Sequence, residues 1–184
     1  MKKLLLLILC LSAMGGLSLR AETWLRIDKN SMTITLLADG DTVMSFPISC
    51  GRGFGPKQAP GDMRTPEGVF TIVSFTDASA WGHDFGDGLG FIRHAYGPWF
   101  IRLSAGNGIG IHGTHAPESM GLRASEGCIR LRNEDLLVLK PHLSCRMRVE
   151  ILPDSFAVLP LPPLQLLPVS RPSLLEVRPV KGLE

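Results

Sequence analysis

The chain has little charge of either sign to spare. In 184 residues, 19 Lys and Arg stand against 17 Asp and Glu. Lys2, Lys3 and Arg20 fall in an N-terminal segment with the marks of a leader; without them the balance is 16 against 17, about −1. Binding to nucleic acid or to an anionic lipid surface rests on excess Lys and Arg, so neither partner is expected. Aromatic residues make up only 7% and are scattered, which argues against a base-stacking platform. There is no internal repeat, and past residue 20 no apolar run is long enough to span a bilayer. The 45% hydrophobic and 20% charged residues are an ordinary balance for one globular domain, so a chain disordered throughout is excluded.

The one long apolar run opens the chain. Met1-Lys2-Lys3 is a short positive region, and Leu4 to Leu11 is apolar apart from Cys10. Small residues follow, with Ser18 and Ala21 as plausible cleavage positions. This is the pattern of a secretory signal peptide over residues 1–21, too short to cross a membrane. Lipidation at Cys10 does not fit, because Leu9 stands where a small residue is needed. Export to the periplasm or cell envelope is therefore expected. Cysteine is scarce: Cys50, Cys128 and Cys145 remain after the leader, an odd number in a compartment that permits disulfides.

Residues 24 to 48 read as strands, with Asp39-Gly40 as a hairpin turn. Thr65-Pro66-Glu67-Gly68 has the residues of a type I turn and leads into a short strand, Val69 to Val73. From Asp77 to Gly97 the chain is glycine-rich and aromatic, the mark of a functional loop or lid. Trp99 to Leu103 and Ile109 to His112 resemble buried strands. Asn133 can cap a short helix from Glu134 to Lys140, and Arg146 to Leu152 alternates cleanly as a strand. After Leu152 the composition changes: residues 153 to 184 hold seven of the 14 prolines, a segment that cannot build a sheet interior. The expected domains are a leader (1–21), a mainly β catalytic domain (22–152) with one or two short helices, and a Pro-rich C-terminal extension (153–184).

The chemistry concentrates in Ile111-His112-Gly113-Thr114-His115 and Ser125-Glu126-Gly127-Cys128-Ile129-Arg130-Leu131. A thiol titrates near ~8.5, so a neighbouring imidazole is needed to draw off its proton at neutral pH. Cys plus His is the minimum for acyl transfer through a thioester, and the Gly127 and Cys128 amides are candidate oxyanion donors. Alone, a His and a Cys in one sequence also fit a core histidine and a structural thiol. The flanks decide: His112-Gly113-Thr114 and then Ser125-x-Gly127-Cys128-Ile129-Arg130-Leu131-x-Asn133 resemble the signature of the L,D-transpeptidases, the YkuD-type cysteine enzymes of bacterial cell-wall assembly. Thr65-Pro66-Glu67-Gly68-Val69-Phe70 is similar to that family's Thr-Pro-x-Gly-x-Phe segment, and the likeness covers about residues 24 to 152.

The resemblance implies a β-sandwich-like domain with Cys128 as nucleophile and His112 as base, the imidazole oriented by the Gly113 carbonyl. It implies that Arg130 holds a carboxylate-bearing donor, with Ser125, Gly127, Thr114 and Tyr96 as further substrate contacts. The donor is a tetrapeptide stem of peptidoglycan, cleaved after its third residue, and the acyl group passes to an amine of another stem. With water as acceptor the same site is an L,D-carboxypeptidase or an amidase; a binding domain that keeps only the pocket is the rival from another class. No metal or cofactor is implied, and His112-x-x-His115 lacks the i, i+4 spacing of common zinc peptidases. Many members carry His two residues before the cysteine, where this chain has Glu126. If the segment is extended, Glu126 shares a face with Cys128 and disfavours its thiolate, unless it turns away to Arg123 or Arg130. With Cys128 kept free, Cys50 and Cys145 are expected to form a disulfide, reduced cysteines being the alternative. The segment from Pro153 onward is expected to be dispensable for the chemical step.

Overall fold

The structure, a computed structural model, describes residues 21–86, 88 and 90–155. The leader and most of the Pro-rich extension, with the expectations attached to them, lie outside the described residues. The strands are β1 (Thr23–Asp28), β2 (Thr33–Ala38), β3 (Asp41–Pro47), β4 (Cys50–Gly51), β5 (Gly68–Asp77), β6 (His83–Asp84), β7 (Phe91–Ile92), β8 (Trp99–Leu103), β9 (Gly110–His112), β10 (Arg123–Ser125), β11 (Ile129–Arg130) and β12 (Arg148–Ile151). One α-helix, α1 (Asn133–Leu139), follows β11. The domain is mainly β: a curled eight-stranded sheet in the order β11-β9-β8-β5-β12-β1-β2-β3, with β10-β4 and β6-β7 as two-stranded additions.

Local chemistry accounts for the frame. Asp39 and Gly40 both take positive φ (51° and 94°), as a two-residue hairpin between β2 and β3 requires. In β12 Val149 and Ile151 are buried while Arg148 and Glu150 lie on the other face, so one strand alternates between core and solvent. It runs parallel to β1 and antiparallel to β5, at the middle of the sheet. The helix drops Leu136 and Leu139, both fully buried, onto Ile111, Ile129 and Leu131 of the same core. Each such leucine is worth about 2–3 kcal/mol of burial.

Four expectations change. Residues 65–67 are extended loop leading straight into a strand of ten residues, Gly68–Asp77, and Thr65 is fully buried. Asp77 to Gly97 is not wholly irregular, because β6 and β7 pair within it. Asn133 does not cap α1: Arg132 occupies the cap without a side-chain bond, while Asn133 Oδ1 accepts the Thr114 N–H at 2.9 Å. The Cys50–Cys145 bridge does not form. Cys50 is buried in β4, 3.7 Å from Met32 Sδ, whereas Cys145 is exposed and donates to the Val73 carbonyl. The first residues past 152 also contact the domain. Asp154 bonds the Gly55 N–H at 2.6 Å, pairs with Lys29 Nζ at 3.2 Å and also pairs with Arg123. Lys29 has no exposed side chain and also holds Glu67 at 2.7 Å, while the Ser155 N–H donates to Asn30.

Candidate active site

Strand register builds the site. β11 pairs parallel with β9, Arg130 opposite His112. Cys128 lies two residues before Arg130, so its side chain falls on the same face as those of Arg130 and His112. All three line one cavity of about 300 Å³, together with Ser125, Glu126 and Tyr96. Phe100 of β8 is opposite His112 and stacks on its ring, with centroids 5.6 Å apart and planes at 17°. Tyr96 packs against the same imidazole at 4.8 Å and against Phe100 at 6.0 Å, so the three rings form one cluster. Gly110 must lack a side chain, because a Cβ there would sit 2.5 Å from the Phe100 ring.

The imidazole is fixed by its backbone. His112 Nδ1 lies 2.6 Å from the Gly113 carbonyl, so Nδ1–H donates there and Nε2 is left as the basic atom. That carbonyl is itself held. Gly97, Gly113 and Asn133 meet so closely that a Cβ on Gly113 would stand 2.1 Å from Asn133 Oδ1. Burial, reinforced by the Arg130 charge, holds the His112 pKa down to about 3. Burial pushes the Cys128 thiol up; the Gly110 amide and the charges of Arg130 and Lys57 oppose this without reversing it, and Glu126 adds to it. The resting pair at neutral pH is therefore thiol and neutral imidazole.

A second cavity of about 520 Å³ meets the first at Cys128. Tyr96 and Gly108 also line both, while Trp81, Phe100 and Arg102 belong to the second. The sulfur lies between them, 3.7 Å from the Gly108 carbonyl.

Of the residues singled out in the sequence, Cys128, His112, Arg130, Ser125 and Tyr96 come together on the cavity wall. Gly113 and Thr114 stand behind His112. Thr114 is 3% exposed, with its hydroxyl accepting the Ala116 N–H, so it does not reach the cavity as a substrate contact. Gly127 likewise shapes the loop from behind, at φ +131°. Its N–H already donates to Ser125 Oγ at 3.1 Å, which removes it as an oxyanion donor. Arg130 is 6% exposed, its guanidinium lies 5.0 Å over the Phe85 ring, and its Nε has no hydrogen-bond partner among the described residues. Glu126 turns to neither Arg123 nor Arg130; it pairs with His83 of β6 at 3.1 Å. Sequence reading did not bring His83 or Lys57 to the site, took Asn133 of the signature for a helix cap, and gave Thr65 of the family-like segment no role beyond a turn. The Thr-Pro-x-Gly segment was the available signal for Thr65.

A thiol and an unprotonated imidazole lining one cavity are the parts that nucleophilic acyl transfer by cysteine requires. The family follows from sequence comparison: the YkuD model, the L,D-transpeptidase catalytic domain, matches residues 22–151, and the chain belongs to that family. The L,D-transpeptidase relative YkuD of Bacillus licheniformis is 30% identical over 127 residues, covering 69% of this chain and 64% of that protein. ErfK/SrfK of Escherichia coli, also named as an L,D-transpeptidase, is 30% identical over 126 residues, 62% of this chain and 38% of its own. The chain thus spans less than two thirds of these relatives' lengths. Among solved structures, an L,D-transpeptidase from Mycobacterium smegmatis superposes with a TM-score of 0.53 at 22% identity, over 71% of this chain and 58% of that one. L,D-transpeptidase 3 from Mycobacterium tuberculosis, solved with a faropenem-derived adduct, gives 0.52 at 20% identity, over 72% and 60%. These two share the fold. No helix among the described residues is long and apolar enough to cross a membrane.

Proposed function

We propose that the chain is an exported enzyme that cross-links peptidoglycan stem peptides, acting in the periplasm or cell envelope. Cys128 Sγ attacks the carbonyl of the third residue of a tetrapeptide donor, usually meso-diaminopimelate, as His112 Nε2 takes the thiol proton. The oxyanion collapses to a thioester, and His112 returns the proton to the departing D-alanine amine. The amine of a second stem then attacks the thioester, and His112 again carries the proton from amine to sulfur. Arg130, buried with an unused donor, is placed to hold a donor carboxylate. The observation that supports transfer over hydrolysis is the position of Cys128 where two cavities meet, since a transfer reaction must bring two substrates to one acyl carbon.

The test is incubation of the exported chain with purified disaccharide-tetrapeptides, followed by mass spectrometry. D-alanine release with a tripeptide–tetrapeptide dimer is the expected result. Free tripeptide without dimer would make the chain a carboxypeptidase. Absence of both products, with no mass added to Cys128, would make it a binding domain.

A further inference from the structure

We propose that Thr65 is the positioning residue that aims the Cys128 N–H as the oxyanion donor; the inference rests on the acyl-transfer reading above. Thr65 has no exposed surface and lines neither cavity. Its hydroxyl accepts the Gly51 N–H at 2.8 Å, which directs its single proton to the Gly127 carbonyl at 2.9 Å. The Gly127–Cys128 peptide is trans, so its carbonyl and N–H point in opposite directions. Fixing the carbonyl toward Thr65 therefore turns the Cys128 N–H away from Thr65. Ser125 holds the rest of the loop: its hydroxyl accepts the Gly127 N–H and donates to the Cys128 carbonyl at 2.6 Å. Of the two amides at the nucleophile, Gly127's is thus occupied, and Cys128's has no partner among the described residues.

The same segment presses on the loop a second time. A Cβ on Gly127 would meet the Arg64 carbonyl at 2.8 Å, and the glycine's φ of +131° is strained for any other residue. The extended strip Arg64-Thr65 is a mould for the nucleophile loop, and the Thr65 hydroxyl sets its one critical peptide plane.

The experiment compares two reactions of the same thiol. Acylation by a carbapenem, followed by mass spectrometry, passes through an oxyanion; alkylation by iodoacetamide is a displacement at carbon and does not. Thr65→Val keeps the shape and deletes the hydroxyl. It is expected to slow acylation on the order of 100-fold, the scale of losing one oxyanion donor. Alkylation should stay within about twofold, because the thiol's surroundings are unchanged. Thr65→Ser, which keeps the hydroxyl, should restore the ratio of the two rates to within roughly threefold of the starting chain. Thr65→Ala carries the same expectation as Thr65→Val if the valine variant does not fold. The proposal is overturned if both rates fall together, if the ratio does not move, if Thr65→Ser behaves like Thr65→Val, or if neither hydroxyl-free variant folds. If the unaltered chain is alkylated at Cys128 but acylated by neither the carbapenem nor a tetrapeptide stem, the acyl-transfer reading itself fails before any variant is compared.

Discussion

In the proposed reaction Cys128 meets its base with both groups neutral. Burial holds His112 well below the usual imidazole range and Cys128 above the usual thiol range, so no thiolate–imidazolium pair stores charge at rest. The rate of Cys128 alkylation should accordingly keep rising with pH past ~8.5, the ordinary thiol value, with no plateau near neutrality. Glu126 contributes to that elevation through its charge, and Glu126→Gln should lower the apparent pKa read from the same profile. A profile that levels off at neutral pH would contradict a neutral resting pair, and one unmoved by Glu126→Gln would contradict the influence of that carboxylate. At this scale Cys128 and His112 were legible as candidate partners, and they line one cavity, because each sits in a short contiguous motif. Thr65 was not, since its partner Gly127 lies 62 residues away and only the fold brings a hydroxyl to that carbonyl. The pairing of Glu126 with His83 was hidden for the same reason, a separation of 43 residues.

Elements were readable where one face is wet and the other dry. The alternation of Arg148, Val149, Glu150 and Ile151 marks β12 correctly, and the Asp39-Gly40 signal marks the β2–β3 hairpin. The full length of β5 was not visible, because its second half, Ser74 to Asp77, is polar apart from Phe75 and lies half-buried or exposed. Asn133 shows the limit most plainly: its position favours a helix cap, yet its carbonyl serves the strand end at Thr114, holding the turn that carries Gly113. Asn133→Ala should cost about 1–3 kcal/mol by leaving the Thr114 N–H unpaired, and should slow acylation by loosening the Gly113 carbonyl that steers His112. Gly113→Ala clashes with Asn133 Oδ1, so its penalty in thermal unfolding should shrink in the Asn133→Ala background. Strictly additive penalties would show that the two residues do not share this contact.

At the scale of the whole molecule, distant segments are tied by a network of charge that lines neither cavity. Lys29, fully buried, is shared by Glu67 and Asp154, and Asp154 also holds Arg123 of β10. Asp154→Ala should cost about 3–5 kcal/mol, because it leaves a buried cation short of a partner; a melting temperature within error of the unaltered chain would refute this. Burial alone would raise the Asp154 pKa, but the Gly55 amide with Lys29 and Arg123 outweighs it and holds the carboxyl below its usual range. Its contribution is therefore complete above roughly pH 4 and lost as the pH falls further. His112 acts earlier. The unfolded chain takes up its proton near ~6.5 and the folded one only at about 3, so stability drains away as pH falls between those values. Chemical denaturation at stepped pH should show the upper loss vanish in His112→Gln and the lower one in Asp154→Asn. The central place of β12 has a further consequence, one of timing. β1, β2 and β3 join the other four strands of the large sheet only through β12, the last strand of the described domain. The large sheet therefore cannot become continuous before residues 148–151 are in place, and the strand that closes it is the last of its strands to be synthesised.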